Sequence, residues 1–382
     1  MSDHISKYLN KFLVISDTAI SDENDEMYAF GPVVKELEFL QFPDQITWIG
    51  FRKKKNASHI KITDNRIETI ALNPSGGKGV INKLKILFNY PIYFFVIIKQ
   101  VAKADKIHVR APSNPAVITM LLSYFFPNKQ FWFKYAGNWK GKASPFYKLQ
   151  RRLLMKLGDN SKVTVNGTWD NQPKNVYGFE NPCLDEVDRK KGEKICETKQ
   201  IIGKVNYCFV GGMNTNKGVD KIITLLETLD TSKLNTFHFV GGGPLLPKLK
   251  ARSENISYTT VFHGYLAKED IVNVYADCHF IVLPSNSEGF PKVIGEAMNY
   301  GCVPLVSKIS CIDQYIQHKQ NGLLINPVDT IALINVFQES LNITNEEYRQ
   351  IIKVNYLQAN KFTYSYYQQK VLSKIYTLQN EN

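Results

Sequence analysis

The chain has 382 residues, 47 Lys plus Arg against 35 Asp plus Glu, 44% hydrophobic residues and six cysteines. This composition excludes a disordered, collagenous or disulfide-stapled chain, and at roughly 100–200 residues per domain the length predicts two domains with cores of their own. The net charge of +12 is uneven, with 26 Lys/Arg against 16 Asp/Glu in residues 1–185 and 21 against 19 in the rest, so the first half can attract nucleic acid, anionic lipid or a phosphorylated ligand.

In chain order, residues 1–10 lack the apolar stretch of a secretory signal, which predicts a protein that stays in the cytoplasm. Short apolar runs then alternate with helical patterns. Strands are expected at 11–16, 46–50, 67–71, 106–110, 131–135 and 162–165, with helices at 33–39, 80–101, 115–125 and 146–157. This is the pattern of a doubly wound α/β domain over residues 1–184. The basic run Arg52 to Lys55 reads as a solvated loop. Residues 86–98 and 116–126 are the most apolar stretches, and both fall short of the ~20 residues that cross a bilayer. Both read as core helices. The first, aromatic-rich and beside Lys83, Lys85 and Lys99, also keeps open a helix lying on a membrane surface.

Residues 185–200 are charged and lack an apolar period, so they read as a linker. A second α/β domain is expected over 201–361, with strands at 207–210, 236–240, 259–262, 280–283, 303–306 and 323–325. Residues 362–382 carry apolar and aromatic residues at helical spacing, which predicts a terminal helix packing back on the first domain. The cysteines form no C-x-x-C pair and no zinc-like cluster with histidine, so reduced thiols are expected.

The strongest chemical signal is residues 280–307: an apolar strand, a Ser/Asn/Gly loop, a helix opened by Pro291 and stopped by Gly301, and another apolar strand. The loop then lies at the carboxyl edge of a parallel sheet, where open α/β folds bind ligands. Glu288 lies in the loop and Glu296 eight residues on, inside the helix, about 12 Å apart if the whole stretch were helical. That separation suits the hydroxyls of a sugar and of a ribose joined by a diphosphate. The backbone N–H groups near Lys292 and Val293 offer the phosphates a helix N-terminus. Two carboxylates at this spacing also occur as a first-turn acid and a solvated one.

Two further turns face the same edge. Gly211, Gly212 and Met213 lead to Lys217 and Gly218 ahead of a helix, where a phosphate would gain a cation and the helix dipole. Gly241 to Pro244 lets backbone approach a ligand closely, and His263 to Leu266 follows the next strand with backbone groups for a base. Structural turns account for each of these equally well.

The run from Glu288, Gly289, Phe290 and Pro291 through Glu296, Ala297 and Met298 to Gly301 and Pro304, preceded by the turns at Lys217-Gly218 and Gly241–Pro244, resembles family 4 of the glycosyltransferases. The likeness is close over residues 206–327 and architectural over the first half. It implies the GT-B fold: two Rossmann-like doubly wound domains facing each other across a cleft, the first taking the acceptor and the second a nucleotide-sugar donor. It further implies a retaining transferase with Glu288 beside the donor sugar, Glu296 on the ribose and Lys217 on the diphosphate. Gly212, Gly242, Leu266, Phe290, Pro291, Lys292 and Val293 complete the implied donor site. The family's G-R-L pattern is broken here by Gly212-Met213, which removes a bidentate guanidinium.

In the first half, Gly31 would match the family's first glycine loop and touch the diphosphate. Arg110 and Asn138 would be acceptor or cleft contacts, where relatives carry a nearby His. No D-x-D triplet is present, so no metal and no cofactor are expected. The expected partners are a UDP- or GDP-sugar, a glycan or lipid-linked acceptor of a cell-surface polysaccharide or glycoconjugate, and the inner membrane face. Nucleic acid is not expected, since no helix-turn-helix, zinc or RNA-binding signature occurs. A nucleotide-sugar epimerase of the same fold, and a catalytically silent nucleotide-sugar binder, stay open as alternatives.

Overall fold

The computed structural model describes residues 11–74 and 80–376, with side chains of 80–87 left out. It divides into two compact units, residues 1–179 with 368–382, and residues 180–367.

The first unit contains β1 (Phe12–Glu23), β2 (Glu26–Phe30), α1 (Gly31–Glu38), β3 (Ile46–Arg52), β4 (His59–Lys61), β5 (Ile67–Leu72), α2 (Val80–Lys103), β6 (Lys106–Ala111), α3 (Asn114–Leu122), β7 (Gln130–Tyr135), α4 (Pro145–Met155), β8 (Ser161–Asn166) and β9 (Val176–Phe179). Seven strands pair in parallel in the order β5-β3-β1-β6-β7-β8-β9. The order reverses between β1 and β6. The far end of β1 turns antiparallel to β2, and β2 pairs with β4. β2, β4 and β9 add to the expected strands; the six that alternation predicted are all present.

The parallel strands are buried on both faces, which explains their continuous apolar runs. On one face Leu13, Ile15, Ile49, Val109, Phe133 and Val163 meet Tyr93, Ile97 and Val101 of α2, Met120 of α3 and Leu154 of α4. On the other, Tyr376 sets its edge against Phe12, Phe42 and Trp132, and the Lys106 ammonium lies 4.5 Å from the Tyr376 ring centre. The chain thus re-enters the first unit at Gln368. Residues 377–382 of the expected terminal helix lie outside the described residues.

The second unit contains α5 (Glu186–Thr198), β10 (Val205–Val210), α6 (Val219–Thr228), β11 (Leu234–Val240), α7 (Leu246–Ser253), β12 (Thr259–Gly264), α8 (Lys268–Asp277), β13 (Phe280–Leu283), α9 (Lys292–Asn299), β14 (Val303–Ser307), β15 (Leu323–Ile325), α10 (Thr330–Ser340), α11 (Asn345–Ala359) and the start of α12 (Tyr364–Lys374). Its six strands are all parallel, ordered β12-β11-β10-β13-β14-β15. Here the order reverses between β10 and β13.

The expected linker at 185–200 is corrected: it is α5, part of the second unit. Asp185 accepts from the Asp188 N–H while the Asp188 carboxylate accepts from the Asp185 N–H, a reciprocal cap that starts the helix. Its docking face is polar, which hid it from an apolar-period reading. Asn299 donates to the Asp188 carbonyl at 2.8 Å, Tyr300 Oη donates to the Asp188 carboxylate at 2.9 Å, and Arg189 donates to Asn299 at 2.6 Å. The unit boundary accordingly falls after Phe179, ahead of the expected residue 184, and the second crossing falls after Tyr367, not residue 361.

Candidate active site

At the reversal point of the second sheet, the carboxyl ends of β10 and β13 lie side by side, with Cys208 opposite Ile281. The turns that follow β10, β11 and β12 are laced by backbone bonds. Gly211 N–H donates to Val240 O at 3.0 Å, Met213 N–H to Gly242 O at 2.8 Å and Gly241 N–H to Gly264 O at 2.7 Å. Gly241 has φ 117°, and a Cβ there would come within 2.1 Å of Gly211 O, so only glycine permits this approach.

Lys217 ends a short 3-10 turn capped by Asn214, whose side chain accepts from the Lys217 N–H at 3.1 Å. Gly218 follows with φ 68°, and a Cβ there would lie 2.1 Å from Pro284 O. This close packing is stitched to the loop after β13. Asn286 N–H donates to Asn216 O at 2.7 Å, Asn216 Nδ2 to Ser287 O at 2.9 Å, Asn286 Nδ2 to Thr215 O at 2.8 Å, and Lys221 Nζ to Asn286 Oδ1 at 2.7 Å. The two loops hold one another, and the result is an ion pair: Lys217 Nζ lies 2.6 Å from Glu288 Oε1, with those side chains 25% and 13% exposed. An ammonium held at this edge can neutralise a bound oxyanion.

The helix of this segment, α9, begins only at Lys292. Pro291 is extended, at φ −68° and ψ 123°, so residues 288–291 are loop and the all-helix spacing of Glu288 and Glu296 does not apply. Pro291 stands one place before the helix, not at its first position, because its ψ is not helical. No side chain caps α9 and no acid occupies its first turn, leaving a positive dipole end toward the carboxyl edge. Gly301 closes the helix in the left-handed conformation, at φ 73°, as the sequence predicts.

Phe290 is buried, its ring 4.9 Å from Phe362 and 4.7 Å from Tyr315, so it anchors the loop from below. Glu296, on α9, accepts from Tyr275 Oη at 3.1 Å. Burial raises its carboxyl above the ordinary value, opposed by the Tyr275 bond and by Lys292 and Lys268. Gly212 is part-exposed and has room for a side chain except toward Asn214 Nδ2, 3.1 Å from an added Cβ. Gly242 lies under the exposed Tyr265 ring, 2.7 Å from an added Cβ, with the part-buried Leu266 next along the chain.

Thus Lys217 and Glu288 meet at the reversal point, and Gly212 and Gly242 lie in its laced turns. Sequence reasoning missed Lys221, Asn286 and Tyr275, and it took Tyr265 for its backbone, not its ring. For the first two, the only signal is a polar residue soon after a strand, which ordinary turns share.

The three first-half candidates occupy the first unit. Gly31 opens α1, is buried, and donates its N–H to Ser58 O at 3.0 Å. Arg110 Nη1 donates to Glu36 Oε1 at 2.9 Å, and Lys134 Nζ shares that same oxygen at 2.8 Å. Asn138 Oδ1 accepts from the Gly141 N–H at 2.8 Å, closing its own loop. Among the described residues, the one group with metal-ligand spacing is His238, Asp277 and Cys278, near the start of β13 and so away from Lys217.

Residues 194–358 match the family model "Glycosyl transferases group 1". A protein of the cps region of Klebsiella pneumoniae is 24% identical over 275 residues, 66% of this chain and 75% of that protein. The lipopolysaccharide 1,6-galactosyltransferase of Escherichia coli K12 is 30% identical over 145 residues, 35% of this chain and 38% of that enzyme. Among solved structures, Anabaena HepE in complex with UDP superposes with a TM-score of 0.69 at 14% identity, over 96% of this chain and all of that one. The fold is therefore that of the GT-B glycosyltransferases, and residues 194–358, which hold Lys217, Glu288 and Glu296, carry the glycosyltransferase likeness.

Proposed function

We propose that this chain is a retaining, metal-independent hexosyltransferase of cell-surface polysaccharide or glycoconjugate synthesis, working at the cytoplasmic membrane face. Its second unit takes a UDP- or GDP-sugar and its first unit a glycan or lipid-linked acceptor. The observation that carries this reading is the Lys217–Glu288 pair of 2.6 Å at the reversal point of the second sheet. A relative named as a lipopolysaccharide galactosyltransferase and a structural neighbour solved with UDP support it.

In this reading the glycosidic bond to the diphosphate breaks while the acceptor oxygen bonds to the same face of the sugar. The acceptor proton passes to the departing phosphate oxygen. The protein lowers the barrier by stabilising charge on the leaving group, using the Lys217 ammonium and the α9 N-terminus. Glu288 steers the ammonium before the donor arrives and lies near the sugar. Glu296, held by Tyr275, accepts from the ribose hydroxyls, and the exposed Tyr265 ring over Gly242 offers the base a surface.

The test is sugar transfer from labelled UDP- and GDP-sugars with chelator present, with the product's anomeric configuration read by NMR. Transfer with retention, strongly slowed in Lys217→Ala, is expected. Epimerised donor without an acceptor product would overturn the reading in favour of an epimerase. Gly212 in place of the family's Arg favours a second reading, a silent binder. A donor at about 100 times its dissociation constant raises stability by roughly 2.7 kcal/mol. That shift without turnover on any acceptor would establish the silent binder.

A further inference from the structure

The helix layer α2, α3 and α4 turns an unusual surface outward. α2 is apolar on two opposite faces. Tyr93, Ile97 and Val101 are buried in the core of the first unit, while Phe88, Ile92 and Phe95 are 78%, 52% and 69% exposed. At about 100° per residue the exposed row stands nearly opposite the buried one, and Lys99 continues it. A helix with two apolar faces normally has both covered, and the Phe88, Ile92 and Phe95 row is left exposed.

A second apolar knuckle stands on the same layer. α3 runs into a 3-10 turn, Ser123–Phe125, where Leu121, Tyr124 and Phe125 are 53%, 53% and 78% exposed. α2 and α3 pack side by side, with Tyr90 Oη 3.5 Å from Asn114 Oδ1. Tyr124 Oη donates to Lys156 O at 2.9 Å, which ties the knuckle to the end of α4.

Charge on this stretch is one-signed. From Lys83 to Lys156 the sequence carries fourteen Lys/Arg and a single acid, Asp105. Lys99, Lys103, Arg152 and Lys156 are exposed, and none of them has an acidic partner among the described residues. Some surface cations elsewhere are paired, as Lys55 with Glu23 and Arg252 with Glu227 are.

We propose that this face docks on an anionic phospholipid surface, its aromatic side chains at headgroup depth and its lysines and arginines on the lipid phosphates. No described helix is long and apolar enough to cross a bilayer, so the helices lie on it. A second copy of the chain would set unpaired positive charge against itself, and nucleic acid would leave the exposed phenylalanines without a partner. The proposal rests on the transferase reading only for its use, presenting a lipid-linked acceptor; the docking itself needs no donor.

The experiment is sedimentation of the full chain with phosphatidylcholine vesicles, with and without phosphatidylglycerol, at low and high salt. Wild type is expected to sediment with the anionic vesicles and to be released by salt. The combined change Lys99→Glu, Arg152→Glu, Lys156→Glu should bind roughly a hundredfold more weakly at low salt. Phe88→Ser, Phe95→Ser, Phe125→Ser combined should lose whatever binding salt leaves, with its melting point kept because these side chains are exposed. Absence of wild-type binding, binding by both variants at the wild-type level, or a wild-type dimer in light scattering that the phenylalanine variant dissolves would overturn the proposal. Transfer to a water-soluble acceptor is read in parallel, so a failed docking leaves the transferase reading standing.

Discussion

The two units share one topology and arm it differently. In each, a parallel sheet reverses its strand order, between β1 and β6 in the first and between β10 and β13 in the second. At the second reversal the turns are glycine-rich and laced by backbone, and an ion pair, Lys217 with Glu288, is part-exposed. In the first unit, Arg110 of β6 and Lys134 of β7 converge on Glu36, which is 1% exposed. One edge keeps its charge reachable by a ligand, and the other uses its charge on itself. Topology supplies a crevice, and side chains decide whether it binds or braces.

The sharpest way to break this contrast is Glu36→Ala, which leaves two largely buried cations without their carboxylate. Loss of one partner from such a buried group is expected to destabilise the chain by about 3–5 kcal/mol, read by urea unfolding. A loss under about 1 kcal/mol would mean that the Glu36 cluster is not a brace. The counterpart in the second unit is Lys217→Ala. There the expectation is a kcat lower by roughly 10²–10³-fold with stability little changed, because the ammonium acts on a developing charge. A large loss of stability with unchanged kcat would invert the comparison.

A finer test uses Glu296→Gln. Removing the charge should weaken the donor by about 1.5–3 kcal/mol, the range for hydrogen bonds to charged groups. Because burial holds this carboxyl above its ordinary value, wild-type donor binding should weaken as pH falls through that raised value. The Gln variant should show no such step in KM. An identical pH profile in both would remove Glu296 from the donor site.

The smallest effect belongs to the first unit. His108, stacked 3.8 Å from Trp132, is pushed down to about 3 by burial, with Arg110 adding to the depression. Its ring is neutral when folded and titrates near 6.5 when unfolded, so the unfolded chain binds more protons between those values. Stability then falls as pH drops below about 6.5, by up to about 1.4 kcal/mol per pH unit. His108→Phe should flatten that part of the acid-unfolding curve, and an unchanged slope would assign it to other groups.

What was readable follows from period and neighbourhood. Continuous apolar runs such as residues 12–15 and 280–283 announce strands buried on both faces, and Gly301 announces the end of α9. Helix α5 was unreadable because its buried residues are Asp188 and Gly192, with half-buried Arg189 beside them, not an apolar stripe. Gly192 fits there because a Cβ would come 2.3 Å from Asn299 O, a constraint set by a residue 107 positions away. The commitment of Arg110 to Glu36 escaped for the same reason: the partners are 74 residues apart.

The sequence by itself determined that two doubly wound α/β halves would form, because strand and helix periods are local. It also determined which turns could carry phosphate chemistry, because glycine, lysine and helix starts are local features. Only the tertiary structure decided that Lys217 and Glu288 become partners, since that follows from β10 lying beside β13 and from the bonds that stitch their loops. It alone decided that α2 would leave one apolar face uncovered, because a sheet buries a helix from one side and sequence period does not say what covers the other.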